Sequence, residues 1–211
     1  MEKHFVESVM IKQNYFLRNI MKNNKTFNFW WQSSYDRGLD LVLWMWPKIL
    51  EKIPNARLDC CYGWDLFEKA YKNNPERMSW KAKLDEMMKQ PSITHHGRIG
   101  QDKMEKIRKK MDIWFYPTYF KETNCIGALE CARDGVIPAV MHLAGLRDTV
   151  KTGIMVEGDI YQPETRQKFI DEVVKLSKDK KRIKEEIKKG KEHVKAFSWE
   201  LMAAKWIKEF E

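Results

Sequence analysis

Residues 112–141, DIWFYPTYFKETNCIGALECARDGVIPAVM, contain the pattern of a strand, a helix and a second strand in succession. The segment DIWFYPT is nearly all apolar, which predicts a strand buried on both faces. A helix over about residues 124–134 follows and stops at Gly135, and VIPAVM predicts the next strand. Strands separated by a helix are typical of a parallel sheet, so this segment predicts two neighbouring parallel strands joined by a helix.

The same alternation continues along the chain. Strands are predicted in TFNFWWQSS, around residues 58–62, in SITHHGRIG and, as a strand or a turn, in IMVEGD. Helices are predicted in LDLVLWMWPKILEKI, where Pro47 should kink or break the helix, on either side of Pro75, in QDKMEKIRKKM, and from Pro163 to the end. Six such alternations predict an α/β fold, a Rossmann-like parallel sheet flanked by helices.

The 211 residues fit one domain with an appendage. We assign residues 25–211 to the Rossmann-like domain and residues 1–24 to an N-terminal helical segment. The apolar residues of this segment fit a helical stripe loosely, so it packs either on the domain or on a membrane surface. It has no uncharged apolar run of signal-peptide or membrane-spanning length.

The composition limits the partners and the compartment. A net charge of +9 favours an anionic partner, such as a nucleotide, a membrane surface or a nucleic acid, although it also fits a solvated lysine-rich surface. The chain lacks an RNA-binding aromatic signature and a helix-turn-helix signal, so nucleic acid is not an expected partner. The four cysteines have neither zinc-binding nor disulfide spacing, which indicates reduced core residues of a cytoplasmic protein.

Ligands of parallel α/β sheets bind at the loops that follow the strands, here residues 33–38, 63–64, 97–100, 117–123 and 142–147. The helix after DIWFYPT starts with free amides and a slender Gly127, which predicts an anion site. Glu122 precedes this helix and Glu130 lies inside it. A carboxylate accepts hydrogen bonds from hydroxyl groups. A nucleotide sugar has two hydroxyl-bearing groups, the ribose and the sugar, joined by phosphates, so it suits an anion site with a carboxylate on each side. The alternative is structural, with Glu122 favouring the helix N-terminus and Glu130 pairing with Arg133.

Glu122 and Glu130 form a Glu-x7-Glu pattern that resembles the signature of retaining GT-B glycosyltransferases of family four. Residues 33–65 resemble that family's first donor-domain strand, its basic residue–glycine turn, the helix and the second strand. Residues 95–150 resemble its nucleobase loop, buried strand, carboxylate helix and following strand, and FSWELMAAKWI resembles its closing helix. The resemblance covers residues 26–211 and implies a single GT-B-type donor domain that binds a nucleoside-diphosphate sugar.

The resemblance also implies roles for individual residues. Arg37 would hold the donor pyrophosphate, where an arginine fork suits bidentate binding. Glu122 would contact the transferred sugar, and Glu130 the ribose. The nucleobase loop would contribute Arg98 and Ile99. The phosphate-facing tip of the helix would contribute Thr123, Asn124, Cys125 and Ile126.

The sequence departs from the family in two ways. The family often has a glycine–arginine pair in the first loop, whereas WWQSSYD offers the hydroxyls of Ser33 and Ser34. The family also has an acceptor domain before the donor domain, for which this chain has no room. Spacing does not assign His4 to the missing catalytic role, and the pair His95–His96 either faces the cleft or belongs to the core or surface.

The expected activity is therefore glycosyl transfer with retention from a nucleotide-sugar donor to an acceptor that the sequence does not identify. No cofactor is expected, and no metal, because the chain has no Asp-x-Asp pair. A second copy, a separate chain or a peripheral membrane contact would supply the acceptor side. The alternative is a non-catalytic nucleotide-sugar-binding module or a donor-binding subunit that needs a partner.

Overall fold

A computed structural model describes residues 26–210, and in that part of the chain six strands form one parallel sheet. The strand order is β3-β2-β1-β4-β5-β6, and every neighbouring pair is parallel. The strands are β1 Phe27–Trp31, β2 Ala56–Cys60, β3 Ile93–His95, β4 Ile113–Tyr116, β5 Ile137–Met141 and β6 Ile154–Val156. The predicted α/β fold is confirmed, whereas the predicted helical segment 1–24 lies outside the described residues.

Helices follow the strands and cover the sheet. They are α1 Leu39–Lys52, α2 Asp65–Tyr71, α3 Pro75–Met87, α4 Gln101–Arg108, α5 Ile126–Asp134, α6 Leu146–Thr149, α7 Pro163–Lys178, α8 Lys180–Val194 and α9 Trp199–Phe210. Short 3-10 turns occupy Tyr35–Arg37 and Lys195–Phe197. The predicted C-terminal helix is therefore three helices. The Asp179 carboxylate accepts from the Arg182 amide and starts α8, and the Ser198 hydroxyl accepts from the Leu201 amide before α9.

Aromatic side chains fill the core on both faces of the central strands. Trp30, Trp31, Trp46 and Trp114 are almost completely buried. Phe29 packs edge to face against Trp46, with ring centroids 5.3 Å apart. Such contacts add to the stabilisation from burial of the rings, so the apolar runs that predicted the strands also provide the core.

Pro47 was expected to kink or break its helix, and α1 continues through it without a break. Proline has no amide hydrogen, so the carbonyl of Leu43, four residues earlier, loses its helical partner. The side-chain amide of Gln90, which follows α3, donates to that carbonyl at 2.9 Å. A residue from a neighbouring segment therefore replaces the missing hydrogen bond.

This replacement predicts that Gln90→Ala lowers the free energy of unfolding by about 1 kcal/mol, because the Leu43 carbonyl loses its partner. In a Pro47→Ala chain the restored main-chain amide satisfies the carbonyl, so Gln90→Ala should then cost much less. Urea unfolding of the four chains measures this coupling directly. Equal losses in both backgrounds would contradict the assignment.

Candidate functional site

The loops after β1 and β4 meet at one edge of the sheet because these two strands are neighbours. The strand order reverses at this point, which is where open α/β sheets form a ligand crevice. The loop after β1 ends at Gly38, whose φ of +113° is left-handed. A Cβ there would lie 3.3 Å from the Pro117 carbonyl oxygen, so glycine allows the two loops to approach each other. The Thr118 hydroxyl donates to the Arg37 carbonyl at 2.6 Å and joins them.

Arg37 and Glu122 form an ion pair within this crevice. Arg37 Nη1 lies 3.0 Å from Glu122 Oε1 and 3.3 Å from Oε2. The guanidinium also lies 4.1 Å from the centroid of the Phe120 ring, a cation–π contact. Glu122 is buried, whereas 37% of the Arg37 side chain is exposed. The carboxylate and the ring therefore hold a guanidinium that still reaches solvent.

Tyr116, the last residue of β4, supports Glu122 from below. Its hydroxyl donates to Glu122 Oε1 at 2.7 Å and lies 3.3 Å from the Ser33 hydroxyl. Burial raises the pKa of Tyr116 far above its ordinary value, and the Glu122 carboxylate adds to the rise. The phenol therefore remains a protonated donor. Burial acts to lower the pKa of Arg37, but Glu122 and Tyr116 together outweigh it, so that pKa is raised.

The start of α5 differs in detail from the expected helix tip. The helix begins at Ile126, with buried Cys125 as its N-cap residue, while Thr123, Asn124 and Ile126 are exposed. The Gln32 side chain occupies the space beside Gly127 and donates to its carbonyl at 3.1 Å. A Cβ on Gly127 would approach Gln32 Nε2 to 2.8 Å. In this structure, the Gln32 side-chain amide therefore fills the space beside Gly127 that the sequence suggested for a phosphate.

Glu130 belongs to a second network, centred on the buried Arg108. Arg108 Nη1 donates to Glu130 Oε2 at 3.2 Å and to Gln32 Oε1 at 3.0 Å, and its Nε donates to Asp134 at 2.7 Å. Arg133, the expected alternative partner of Glu130, pairs with Asp134 at 3.0 Å. The structure gives Glu130 Oε1 no hydrogen bond among the described residues, so this oxygen can accept one from a ligand.

The remaining candidates lie apart from these two networks. Arg98 is exposed, and Ile99 packs partly against the core in the loop before α4. Ser34 donates to the Asp36 carboxylate at 2.6 Å. Of the predicted residues, the structure therefore brings Ser33, Arg37 and Glu122 into one network and places Glu130 in the adjacent one.

The two adjacent histidines have protein partners. His96 Nε2 lies 2.5 Å from the Asp59 carboxylate, and His95 Nε2 lies 2.5 Å from the Tyr35 hydroxyl. The same hydroxyl accepts from the Gly63 amide at 3.0 Å. These contacts hold the loops after β1, β2 and β3 together, which favours the structural interpretation of both histidines.

Sequence reasoning missed three contributors to the site, namely Tyr116, Gln32 and Arg108. Arg108 has a usable signal, since it follows Met104 by four residues and precedes Met111 by three, which is the spacing of a core-facing stripe. Tyr116 ends an otherwise apolar strand, where its hydroxyl reaches the loop. Nothing in the local sequence marks Gln32.

Between residues 26 and 210, no three histidine, cysteine, aspartate or glutamate side chains are grouped as metal ligands. None of the helices in this part of the chain is long and apolar enough to cross a membrane.

No model of a protein family matches the chain, and a search of curated proteins finds no match. Solved structures do match. A GtfA/B complex has a TM-score of 0.70 at 11% identity, over 89% of this chain and 36% of that one. Sucrose-phosphate synthase from Thermosynechococcus elongatus has a TM-score of 0.66 at 18% identity, over 92% and 47%. The catalytic domain of starch synthase IV from Arabidopsis thaliana, bound to ADP and acarbose, has a TM-score of 0.64 at 13% identity, over 94% and 41%.

At these identities the likeness is one of fold. The chain has the Rossmann-like α/β fold of a GT-B-type domain, as the sequence predicted. It spans less than half the length of the solved structures it matches.

The lowered pKa of His95 predicts a pH dependence of stability. Burial lowers the pKa of His95, so the folded protein disfavours its charged form. As pH falls below about 6.5 the unfolded chain takes up this proton first, and the free energy of unfolding decreases until the folded-state pKa is passed. Chemical denaturation between pH 8 and pH 5 should show a shallower decrease for His95→Gln than for the unmodified chain. The same pH dependence in both would contradict the prediction.

Proposed function

We propose that this domain binds a nucleoside-diphosphate sugar and acts as the donor side of a retaining glycosyltransferase. The observation that carries the proposal is the Arg37–Glu122 pair, a solvent-reaching guanidinium held at the crevice between β1 and β4. Arginine binds phosphate oxygens through a planar fork of donors. Both bonds to Glu122 come from Nη1, so the rest of that fork remains for the donor pyrophosphate.

The neighbouring groups supply complementary contacts for the donor. The first amides of α5, at Ile126 and Gly127, attract phosphate through the helix dipole, and Thr123, Asn124 and Cys125 flank that tip. Glu130 Oε1 accepts from a ribose hydroxyl, while Glu122 Oε2 accepts from a hydroxyl of the transferred sugar. Ser33 and Ser34 add hydroxyls on the other side of the phosphates, and the base lies against Arg98 and Ile99.

The chemical step places its largest demand on the leaving diphosphate. Transfer breaks the bond between the sugar's anomeric carbon and the diphosphate oxygen and forms one to an acceptor oxygen on the same face. The acceptor proton leaves with the diphosphate. Arg37 and the α5 amides stabilise the charge that develops on the diphosphate, and fixed donors aimed at developing charge are an effective form of catalysis.

Fold similarity supports this proposal without identifying the donor. The matched structures are glycosyltransferases, and the starch synthase was solved with ADP and acarbose. A thermal-shift screen with uridine, guanosine and adenosine diphosphates and their sugars tests donor binding. A ligand at a hundred times its Kd should stabilise the fold by about 2.7 kcal/mol. No stabilisation by any of them would reject the proposal.

A second candidate is a donor-binding subunit that is inactive without a partner. One observation favours it, because α9 leaves Trp199, Trp206 and Phe210 largely exposed, as a surface for a partner would be. Transfer of a radiolabelled sugar by the isolated chain to a mixed glycan extract separates the two candidates. Product with the donor's anomeric configuration supports the enzyme, whereas donor binding without transfer supports the subunit.

Arg37→Ala should weaken binding of the diphosphate by about tenfold to a hundredfold, because a charged hydrogen bond contributes roughly 1.5–3 kcal/mol. Binding of the corresponding nucleoside, which lacks phosphate, should change little. Isothermal calorimetry measures both. Arg57→Ala, which removes an exposed arginine from β2, is the matched control. Arg37→Lys keeps the charge without the fork, so its recovery of affinity should be partial. Equal weakening by Arg37→Ala and the control would exclude Arg37 from the site.

Glu130→Gln should weaken nucleoside diphosphate binding by about tenfold to a hundredfold if Glu130 accepts from the ribose. The sharper test compares each chain with the diphosphate and its 2′-deoxy and 3′-deoxy analogues. The unmodified chain should bind the analogue that lacks the contacted hydroxyl more weakly than the diphosphate itself. The Glu130→Gln chain should bind both with nearly the same affinity, because it has already lost the contact. Glu86→Gln, an exposed change on α3, is the control. If removal of the hydroxyl weakens binding equally in the unmodified chain and in Glu130→Gln, a direct contact is ruled out.

A further inference from the structure

An aromatic cluster lies beside the candidate donor site and takes no part in it. We call Trp44, Tyr119 and Tyr161 the aromatic platform. These residues are 48%, 37% and 54% exposed. The two tyrosine rings lie 5.6 Å apart at an interplanar angle of 31°. The Arg166 guanidinium lies 4.4 Å from the Trp44 ring centroid and donates to the Tyr161 carbonyl, which links the third ring to the other two.

Hydrogen bonds that involve the main chain hold the platform in place. The Tyr119 hydroxyl donates to the Asp36 carbonyl at 2.7 Å. The Tyr161 amide donates to the Asp159 carboxylate at 2.9 Å, and Arg166 also donates to the Ile160 carbonyl at 3.1 Å. Rings that are already fixed lose little conformational entropy when a ligand covers them.

A buried carboxylate oxygen accompanies the rings. Asp40 Oδ1 has no hydrogen-bond partner among the described residues. Burial raises the pKa of Asp40. Burial also raises the pKa of Tyr119 to about 12, with the nearby Asp40 as the next cause, and the same two causes raise the pKa of Tyr161. The Asp40 carboxylate therefore lies within electrostatic range of both tyrosine rings, while its Oδ1 is shielded from solvent.

A shallow groove of about 600 Å³ leads away from the platform between α1 and α7. It starts at Lys48, whose ammonium lies 5.4 Å from the Trp44 ring centroid. Apart from Pro163, its lining is polar, with Lys48, Glu164, Gln167, Lys168, Asp171, Glu172 and Lys175. Such a lining suits a ligand with many hydroxyls better than an apolar helix or a hydrophobic protein patch.

We propose that the aromatic platform and this groove bind a neutral carbohydrate chain. A sugar ring presents C–H groups on its face, which pack on aromatic rings, and hydroxyls on its edge, which donate to a carboxylate and accept from a guanidinium. Trp44, Tyr119 and Tyr161 supply the rings, Arg166 supplies the guanidinium, and the groove supplies carboxylates at Glu164, Asp171 and Glu172. A protein partner would require about 800 Å² of complementary surface, whereas three rings among charged side chains offer a small apolar area.

The position of the platform suggests what the bound chain does. Tyr119 adjoins Phe120, the residue that stacks on Arg37, so one loop serves both sites. A carbohydrate chain on the platform would therefore lie near the proposed donor site and act as the acceptor. This role as acceptor rests on the proposed function, whereas carbohydrate binding itself does not.

The test is a titration of the ¹⁵N-labelled chain with four neutral hexasaccharides: maltohexaose, cellohexaose, chitohexaose and mannohexaose. We expect saturable shifts of the Trp44 indole resonance, assigned with Trp44→Phe, for at least one of them. Tyr161→Ala and Tyr119→Ala should each weaken that binding by about tenfold, since aromatic contacts carry much of it. Trp206→Ala removes an exposed ring from α9 and should leave it unchanged.

Two further results keep the test decisive. Melting temperatures of the variants show whether they fold, and all three rings are exposed enough for replacement without loss of the core. Diphosphate binding should be unchanged in Tyr161→Ala, and oligosaccharide binding should be unchanged in Arg37→Ala, so failure at one site does not imply failure at the other. The absence of a shift with all four oligosaccharides, or an equal loss in Trp206→Ala, would overturn the proposal.

Discussion

The parallel pairing of β1 with β4 is the constraint on which the candidate site depends. Phe29 pairs with Ile113 and Trp30 with Trp114, so both strands end at the same edge. Tyr116 extends that register and is packed by two tryptophans, with ring centroids 5.2 Å from Trp31 and 4.6 Å from Trp114. The phenol therefore has a fixed height above the sheet, and its hydroxyl fixes the Glu122 carboxylate. The position of Arg37 follows from that carboxylate, because Glu122 is its ion-pair partner.

The second constraint is the buried charge of Arg108. A buried cation is costly, and replacing such a pair with apolar residues is often neutral or stabilising. Arg108 is only 1% exposed, yet it contacts Gln32 after β1 and both Glu130 and Asp134 on α5. These bonds link three segments that are distant in sequence. The arrangement fits a role in orienting Glu130 better than a role in stability, since Asp134 alone could neutralise the guanidinium.

The sequence predicted the elements well because their signals are local. Apolar runs marked the strands, and Pro163 marked the start of α7. The site was harder because its contacts depend on sheet order. Glu130 has Arg133 within helical reach, yet it pairs with Arg108, which is 22 residues away and is brought to α5 by the packing of α4. Pro47 likewise predicted a kink or a break, and only the fold reveals that Gln90 supplies the missing donor. The roles assigned to the donor-binding residues stay predictions.

The ion pair at the site also limits how strongly Arg37 attracts an anionic ligand such as a diphosphate. Glu122 neutralises part of the Arg37 charge, and 37% of the Arg37 side chain is exposed to solvent. Charges in contact with water are screened, so their attraction for a diphosphate is far weaker than in a dry site. A surface that covered the crevice would exclude this water and strengthen the same contacts without moving them. In a drier crevice, the guanidinium and the first amides of α5 would attract a diphosphate more strongly from the positions they already occupy.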